Sequence, residues 1–484
     1  MSSRKLLLGW GETDITPANA KVELSGQYYQ RLAQGIHSRL KAVALALDNG
    51  QEQAVLVALD VVGFDEELQL AVRKMVSTAI PDIRPESIFL NAIHTHNAPY
   101  TRPTGLFRDW LPLDPEALPP AVYVEFLKTQ ILAAVRQAWS ERAPCGIAPA
   151  FGRAAIGHCR RAVYSGSSAE MYGDTTRSDF TGMEAGEDSG VEMLFTFSEK
   201  ARPTGMIVNL ACPSQVMEAT YLISSDFMGA ARENLQREFG SQFHTLCQVS
   251  AAGCQSPRDL VRNHRTEPDF WHADGVEVHA GRLSRAVLEA FPQTAGKIDY
   301  LPVFRHTCRR LQLPLRRASY QQYSQAVTEL ERLLQRMPER AAFEDFCRQT
   351  HANEAIPGRP GPYDSKLHHF VLIQNARAVV KRYQSQDDKP YFDYDLQALR
   401  LGDCAMVNCP FELYLYFGQI IKARSPARQT FVVQLSGGSG GYLPSPEAER
   451  LGGYGGLIIN GKVGADGGYL LADAAGDRIR ELWQ

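Results

Sequence analysis

The chain has 484 residues and a net charge of −3, so it can bury a large core and gives no electrostatic reason to expect nucleic acid or an anionic membrane as partner. No window is long and apolar enough to span a bilayer, and the opening MSSRKLLLGWGETDITP lacks the apolar stretch of a secretion signal. Nine cysteines without a CxxC pair read as reduced thiols, which sets the expectation of a cytoplasmic protein.

In chain order, Val43–Leu47 and Ala54–Leu59 are apolar runs separated by Asp48-Asn-Gly50, the pattern of a hairpin. Glu66–Ala79 has helical spacing and ends before Pro81. Ser87–Ile93 reads as a strand, stopped by Asn97-Ala-Pro99. Val122–Trp139 is a second amphipathic helix, and Glu192–Phe197 with Gly205–Leu210 forms another strand pair. The polar stretch Tyr164–Ser189 reads as a long loop, functional or mobile.

Helices follow at Phe227–Phe239 and Gly275–Phe291. Tyr320–Arg348 is charged and helical, so a solvated helical insertion is expected over about 318–350, with Ile356–Tyr363 as a Pro/Gly loop after it. Strands return at Leu396–Leu401, Ala405–Asn408 and Thr430–Leu435, with a helix at Glu412–Ala423 between the last two. The alternation predicts an α/β fold, mixed β-sheets flanked by helices in one large body over residues 1–484.

The most informative residues are His94 and His96 at the end of the Ser87–Ile93 run. Side chains two apart on a strand share a face, and paired imidazoles on one face begin a metal site or an acid/base site. The plain alternative is a pair of polar residues closing a buried strand. Gly437-Gly-Ser-Gly-Gly441 matches the nucleophile elbow G-x-S-x-G, but Leu443-Pro444 interrupts the helix an elbow needs and no histidine follows Ser439. Those glycines instead suit close backbone approach.

Three carboxylates stand at element ends. Asp60 closes an apolar run, Asp226 opens a helix where capping is its ordinary role, and Glu412 is either a first-turn helix charge or a ligand or base. Ser256 precedes a proline in a glycine turn. Arg160 and Arg161 form either a carboxylate clamp or surface ion pairs. His264, His272 and His279 lack ligand spacing.

Taken together these pieces resemble the catalytic domain of the neutral/alkaline ceramidase family. The opening Gly9–Pro17 and Gly35-Ile-His-Ser-Arg-Leu40 look like family segments. The family's HTHSGP is matched by His94-Thr-His-Asn-Ala-Pro99, its Asn-Arg by Cys159-Arg160, and its Asn-x-Ala-Cys-His-Pro by Asn209–Pro213. Its Gly-Asp-x-Ser-Pro corresponds to Gly253–Pro257, its Pro-Gly-Glu to Pro410–Glu412, and its Gly-Tyr to Gly441-Tyr442.

The resemblance implies a zinc-dependent hydrolase in which His94, Glu412 and Tyr442 hold the ion. The family's further histidine ligand is replaced by Pro213, with Cys212, Gln215, Glu218 and His37 as candidate stand-ins. It assigns His96 to proton transfer or oxyanion binding, Ser256 and Arg160 to substrate positioning, and Tyr454 to the same surroundings. His37, Gln215 and Asp226 are candidate substrate contacts.

The chain shows no run of short strands near Gln484, so a member without the family's usual C-terminal β-sandwich is expected. A small soluble amide, ester or sugar derivative then fits better than membrane ceramide, with a homo-oligomer left open. The alternatives are a glycosidase or lyase using Asp60, Asp226 or Glu412 as acid and base, and a non-catalytic binding paralogue.

Overall fold

A computed structural model describes residues 5–18, 21–27, 29–102, 110–111, 113–262, 272–354 and 368–484. The Ile356–Tyr363 loop and His264 lie outside the described residues.

The expected hairpin forms from Lys41–Asp48 and Gln53–Leu59, antiparallel, with the Gly50 N–H donating to Asp48 Oδ1 at 2.7 Å in the turn. It belongs to an eight-stranded mixed sheet. In chain order the strands are β1 (Leu7–Asp14), β2 (Lys41–Asp48), β3 (Gln53–Leu59) and β4 (Ile88–Ala92), then β5 (Ala143–Arg153), β6 (Gly190–Ser198), β7 (Pro203–Leu210) and β8 (His244–Val249). Their spatial order is β8-β7-β6-β5-β1-β2-β3-β4. The expected second strand pair, β6 with β7, is antiparallel, whereas β3–β4 and β7–β8 are parallel.

A four-stranded sheet stacks on it: β9 (Phe304–Pro314), β10 (Tyr391–Leu401), β11 (Cys404–Asn408) and β12 (Gln429–Val433), in that spatial order. Between the sheets lie Trp10, Leu45, Leu56, Leu399, Met406 and Phe431, all buried. Apolar residues on both faces of the central strands are what a sheet covered on both sides requires.

Helices cover the outer faces. α1 (Glu66–Ala79) and α2 (Pro120–Ser140) share a core with β2 and β3, and α3 (Asp226–Phe239) and α4 (His272–Ala290) share one with β5 to β8. α2 lies so close to β1 that a Cβ at Gly9 would meet Ala138 O at 2.1 Å and one at Gly11 would meet Ala134 O at 2.1 Å. The opening Gly-Trp-Gly motif is therefore a helix-packing device, with Trp10 reaching to the other side to donate to Thr196 Oγ1 at 3.1 Å.

The 318–350 stretch forms α5 (Tyr320–Arg336) and α6 (Glu339–Glu354), broken at Pro338, and α7 (His369–Ser385) packs on both. Ser319 and Gln322 form a full capping box at the start of α5. On the outer face of the second sheet lie α8 (Leu415–Arg424) and α9 (Ala465–Trp483). No helix among the described residues is long and apolar enough to cross a membrane.

Two expectations are corrected. The Tyr164–Ser189 stretch is not an open loop: Arg161–Tyr164, Ser168–Met171 and Phe180–Met183 form a three-stranded sheet of their own. The expected Glu412 helix starts only at Leu415, because Glu412–Leu413 is a two-residue strand paired in parallel with Tyr442–Leu443.

Candidate functional site

β4 ends at Ala92, and the chain turns over β3 through His94 N–H to Val61 O at 3.0 Å. His94 has φ +66, a left-handed conformation costly for a residue with a Cβ, and such strain persists where surrounding structure enforces it. Strand alternation is thus not what brings the imidazoles together. They meet through a turn, with ring centroids 4.9 Å apart, rings nearly perpendicular, and Nε2 atoms 3.3 Å apart. His94 Nδ1 donates to Val62 O at 2.6 Å, which leaves its Nε2 with a lone pair. Burial first, then the neighbouring His96, holds His94 well below the usual histidine range, so it stays neutral.

Glu412 reaches the same place by a different route. Its two-residue ladder puts it in register with Tyr442, its N–H donating to Gly441 O at 2.9 Å. On the other side Gly253 packs so tightly that a Cβ there would meet Glu412 O at 2.4 Å. Glu412 Oε2 lies 3.5 Å from His94 Nε2, and Glu412 also bonds the Tyr442 hydroxyl. Desolvation raises the Glu412 carboxyl, opposed by Arg160 and by the Tyr442 bond.

Arg160 spans the centre. Its Nη2 donates to Gly253 O at 3.0 Å and Tyr442 OH at 3.3 Å and stands 3.6 Å from Glu412 Oε2. Its Nη1 donates to Tyr172 OH at 3.2 Å and Gln215 Oε1 at 3.4 Å. Gln215 Nε2 in turn donates to Glu218 Oε2 at 2.9 Å, and the same oxygen lies 3.2 Å from His96 Nδ1. The result is a closed polar circuit: His94, His96, Glu218, Gln215, Arg160 and the Glu412–Tyr442 pair. Arg31 locks the turn from behind by donating to the carbonyls of His96 and Glu218.

Other sequence candidates stand one contact away or elsewhere. The ring of Tyr454 packs edge-on to Tyr442 at 5.4 Å. Ser256 bonds Tyr172 at the border of the circuit, and its Oγ accepts the Arg258 N–H at 3.0 Å, which is the turn role its context suggests. His37 is exposed and bonds Ser224 Oγ at 3.2 Å, so it does not join the circuit. Asp226 is buried and ties two backbone N–H groups, Met217 and Phe227, each at 2.8 Å. It braces the segment carrying Gln215 and Glu218 and presents no free carboxylate oxygen as a substrate contact.

Asp60 is paired with Arg232 at 2.6 Å and accepts the Lys41 N–H, outside the circuit. The Cys212 thiol points to the Ile156 and Pro213 carbonyls, and burial keeps it protonated. The residue that sequence reasoning missed is Tyr172, which joins Arg160, Gln215 and Ser256. Nothing local distinguishes it from other loop tyrosines.

Zinc is the ion that the resemblance implies. Two ligands on one tetrahedral zinc sit about 3.3 Å apart, given bonds of about 2.0–2.1 Å. The 3.5 Å between His94 Nε2 and Glu412 Oε2, the lone pair fixed on His94 by Val62 O, and the adjacent Tyr442 hydroxyl fit such an ion. Pro213 brings no donor, and among the described residues no three His, Cys, Asp or Glu side chains are placed to hold a metal. His94, Glu412 and the Tyr442 phenol are thus the donors that such an ion would find here.

The chain belongs to the neutral/alkaline non-lysosomal ceramidase family: the sequence profile of that family's N-terminal domain matches residues 6–259. Among solved structures the fold is similar to neutral ceramidase from Pseudomonas aeruginosa, with TM-score 0.69 and 18% identity over 99% of this chain and 75% of that one. It is also similar to a ceramidase complexed with C2, with TM-score 0.67 and 16% identity over 99% and 76%. No curated protein matches the chain. Family and fold together support a hydrolase.

Proposed function

We propose that the chain is a zinc-dependent hydrolase of a small amide, ester or sugar derivative, with its reactive centre at the circuit around His94 and Glu412. The observation that supports this most is convergence. Stretches near residues 94, 160, 215, 412 and 442 deliver complementary polar groups to one buried centre, and His94 adopts a strained backbone to take part.

His94, Glu412 and Tyr442 would hold the ion, which when bound supplies Lewis-acid activation of a carbonyl and of water. The remaining roles fall to the chain's own groups. His96 presents Nε2 toward the centre with Glu218 behind Nδ1, an arrangement suited to moving a proton at Nε2. Arg160 is held firmly cationic by Tyr442, Tyr172 and Glu412 despite its burial, and it fixes the two oxygen donors in place. Tyr172, with Ser256 beside it, offers hydroxyls for orienting a polar substrate.

The test is metal analysis of protein purified without added metal, followed by a panel of amides, esters and glycosides with and without zinc. One zinc per chain, lost in His94→Ala, is expected, with hydrolysis that a chelator removes. Pro213→His should restore a fourth donor and tighten zinc by about tenfold or more, about 1.4 kcal/mol. Metal-free protein whose activity ignores chelators would overturn the zinc assignment. Turnover of glycosides alone would shift the reading to a carbohydrate-active enzyme.

A further inference from the structure

The Gly437–Gly441 loop runs between the centre and a separate surface groove of about 950 Å³. At one end Ser436 Oγ donates to Leu90 O at 2.7 Å, beside the strand leading to His94; at the other the chain enters Tyr442. The glycines are there for space and for backbone shape. A Cβ at Gly440 would meet the Phe411 ring at 2.1 Å, and Gly437, Gly438 and Gly441 have φ of +83, +140 and +73. Among the described residues, the N–H groups of Gly437, Gly438 and Ser439 donate to no protein acceptor.

Cations line the same groove as this loop. Among the described residues, Arg382 donates to the carbonyls of Arg316, Gly461 and Lys462, at 2.7, 3.2 and 3.4 Å, and to no carboxylate. Lys462 and Lys389 line the groove, and neither makes an ion pair among the described residues. The Lys462 ammonium stands 5.2 Å over the Phe392 ring. Desolvation, with Lys389, Arg102 and Arg382 close by, holds it below the usual lysine range against the pull of Asp65.

The groove's carboxylates equal its cations in number, five of each, so what marks it for an anion is the placement of unpaired donors and not net charge. Asp65 is paired with Arg102 at 3.0 Å and Glu66 with Arg310, while Glu67, Asp388 and Asp393 make no ion pair among the described residues, Asp393 accepting only an amide hydrogen bond from Gln312 at 2.9 Å. Free N–H groups in a glycine turn, beside cations without carboxylate partners, are a recurrent way to bind oxyanions.

We infer that this groove binds a small molecule carrying an oxyanion (phosphate, sulfate or carboxylate), seated between the Gly437–Ser439 amides and the Arg382, Lys389 and Lys462 side chains. The inference does not depend on the hydrolase reading, since it concerns binding alone.

The test is titration calorimetry of the intact protein with inorganic phosphate, sulfate and acetate at constant ionic strength, backed by thermal shift. Saturable one-to-one binding of at least one anion is expected, with an upward melting shift. Lys462→Met should weaken it by about tenfold, the loss of one charge-assisted contact. Lys389→Met should weaken it less, and Lys200→Met, on an exposed turn, not at all. Both groove lysines are exposed, and circular dichroism would verify that the variants fold. The preferred anion names the source: phosphate or sulfate for an esterified ligand, acetate for a carboxylated one. Binding no stronger than an ionic-strength-matched chloride control would overturn the inference. So would affinity unchanged in both groove-lysine variants.

Discussion

Two buried carboxylate–guanidinium pairs, built from the same chemistry, behave as opposites in this molecule. Asp60 and Arg232 meet at 2.6 Å, and Asp60 Oδ2 also accepts the Lys41 N–H at 2.8 Å. Glu412, somewhat more open than Asp60, and Arg160 stand 3.6 Å apart, with His94 Nε2 at 3.5 Å from the same carboxylate. In the first pair each charge is the other's direct partner through Asp60 Oδ2, while Asp60 Oδ1 is buried without a hydrogen bond among the described residues. In the second, Arg160 spends its donors on Gly253, Tyr442, Tyr172 and Gln215, and the carboxylate keeps a side open toward the histidine. The first pair ties the end of β3 to α3; the second leaves its carboxylate facing a histidine.

The contrast breaks most visibly under neutralising substitutions. Asp60→Asn strands the Arg232 charge in the core and should cost about 3–5 kcal/mol of stability, read by chemical denaturation. Glu412→Gln leaves Arg160 with four other acceptors, so stability should move by about 1 kcal/mol or less. Its effect should appear instead as a fall in turnover of about 10²–10⁴-fold on whichever substrate the panel identifies. If Glu412→Gln unfolds the protein while Asp60→Asn does not, the assignment of structural and reactive pairs is reversed.

A smaller effect tests the brace behind the circuit. Asp226 is raised by burial to about 6, against the two backbone bonds and a third from Val216 that favour its ionised form. A carboxyl raised in the folded state binds protons more tightly there than when unfolded. Stability therefore falls as pH climbs from about 4 to about 6, by roughly 3 kcal/mol from this group alone. Asp226→Asn should remove that slope, and asparagine tolerates the residue's φ of +57. Denaturation curves at pH 4, 5, 6 and 7 for both proteins check it; parallel stability profiles would mean that Asp226 does not titrate in this window.

How much of this was legible in the sequence depends on the range of the interactions. The β2–β3 hairpin, α1 and the β6–β7 pair are set by local alternation, helical spacing and turn residues, and their positions follow from the pattern. His94 and His96 stand out locally, though the turn at φ +66 rather than strand alternation makes them meet. Glu412 reads locally as the opening of a helix. What decides its place is a two-residue ladder to Tyr442, thirty positions on, too short to leave a periodic trace. The Asp60–Arg232 contact, 172 residues apart, leaves no local signal either. Tyr172 was hidden because a polar stretch that reads as loop folds into a small sheet carrying it to Arg160.

That last residue gives the finest test of the open pair. The Tyr172 hydroxyl accepts from Arg160 Nη1 at 3.2 Å and Gln215 Nε2 at 3.2 Å, and burial pushes it up to about 12, so it remains protonated at physiological pH. Tyr172→Phe removes one acceptor from each neighbour without changing the ring or the charge of the circuit. The expected cost is about 1 kcal/mol of stability, because Arg160 retains its other acceptors. If the hydroxyl only shapes the protein, turnover and KM should both be untouched. If it orients substrate through Arg160 and Ser256, KM should rise by about threefold to tenfold with little change in kcat. A loss confined to kcat would instead place Tyr172 with the reacting atoms, and the line drawn between the Glu412 centre and its surroundings would have to move outward.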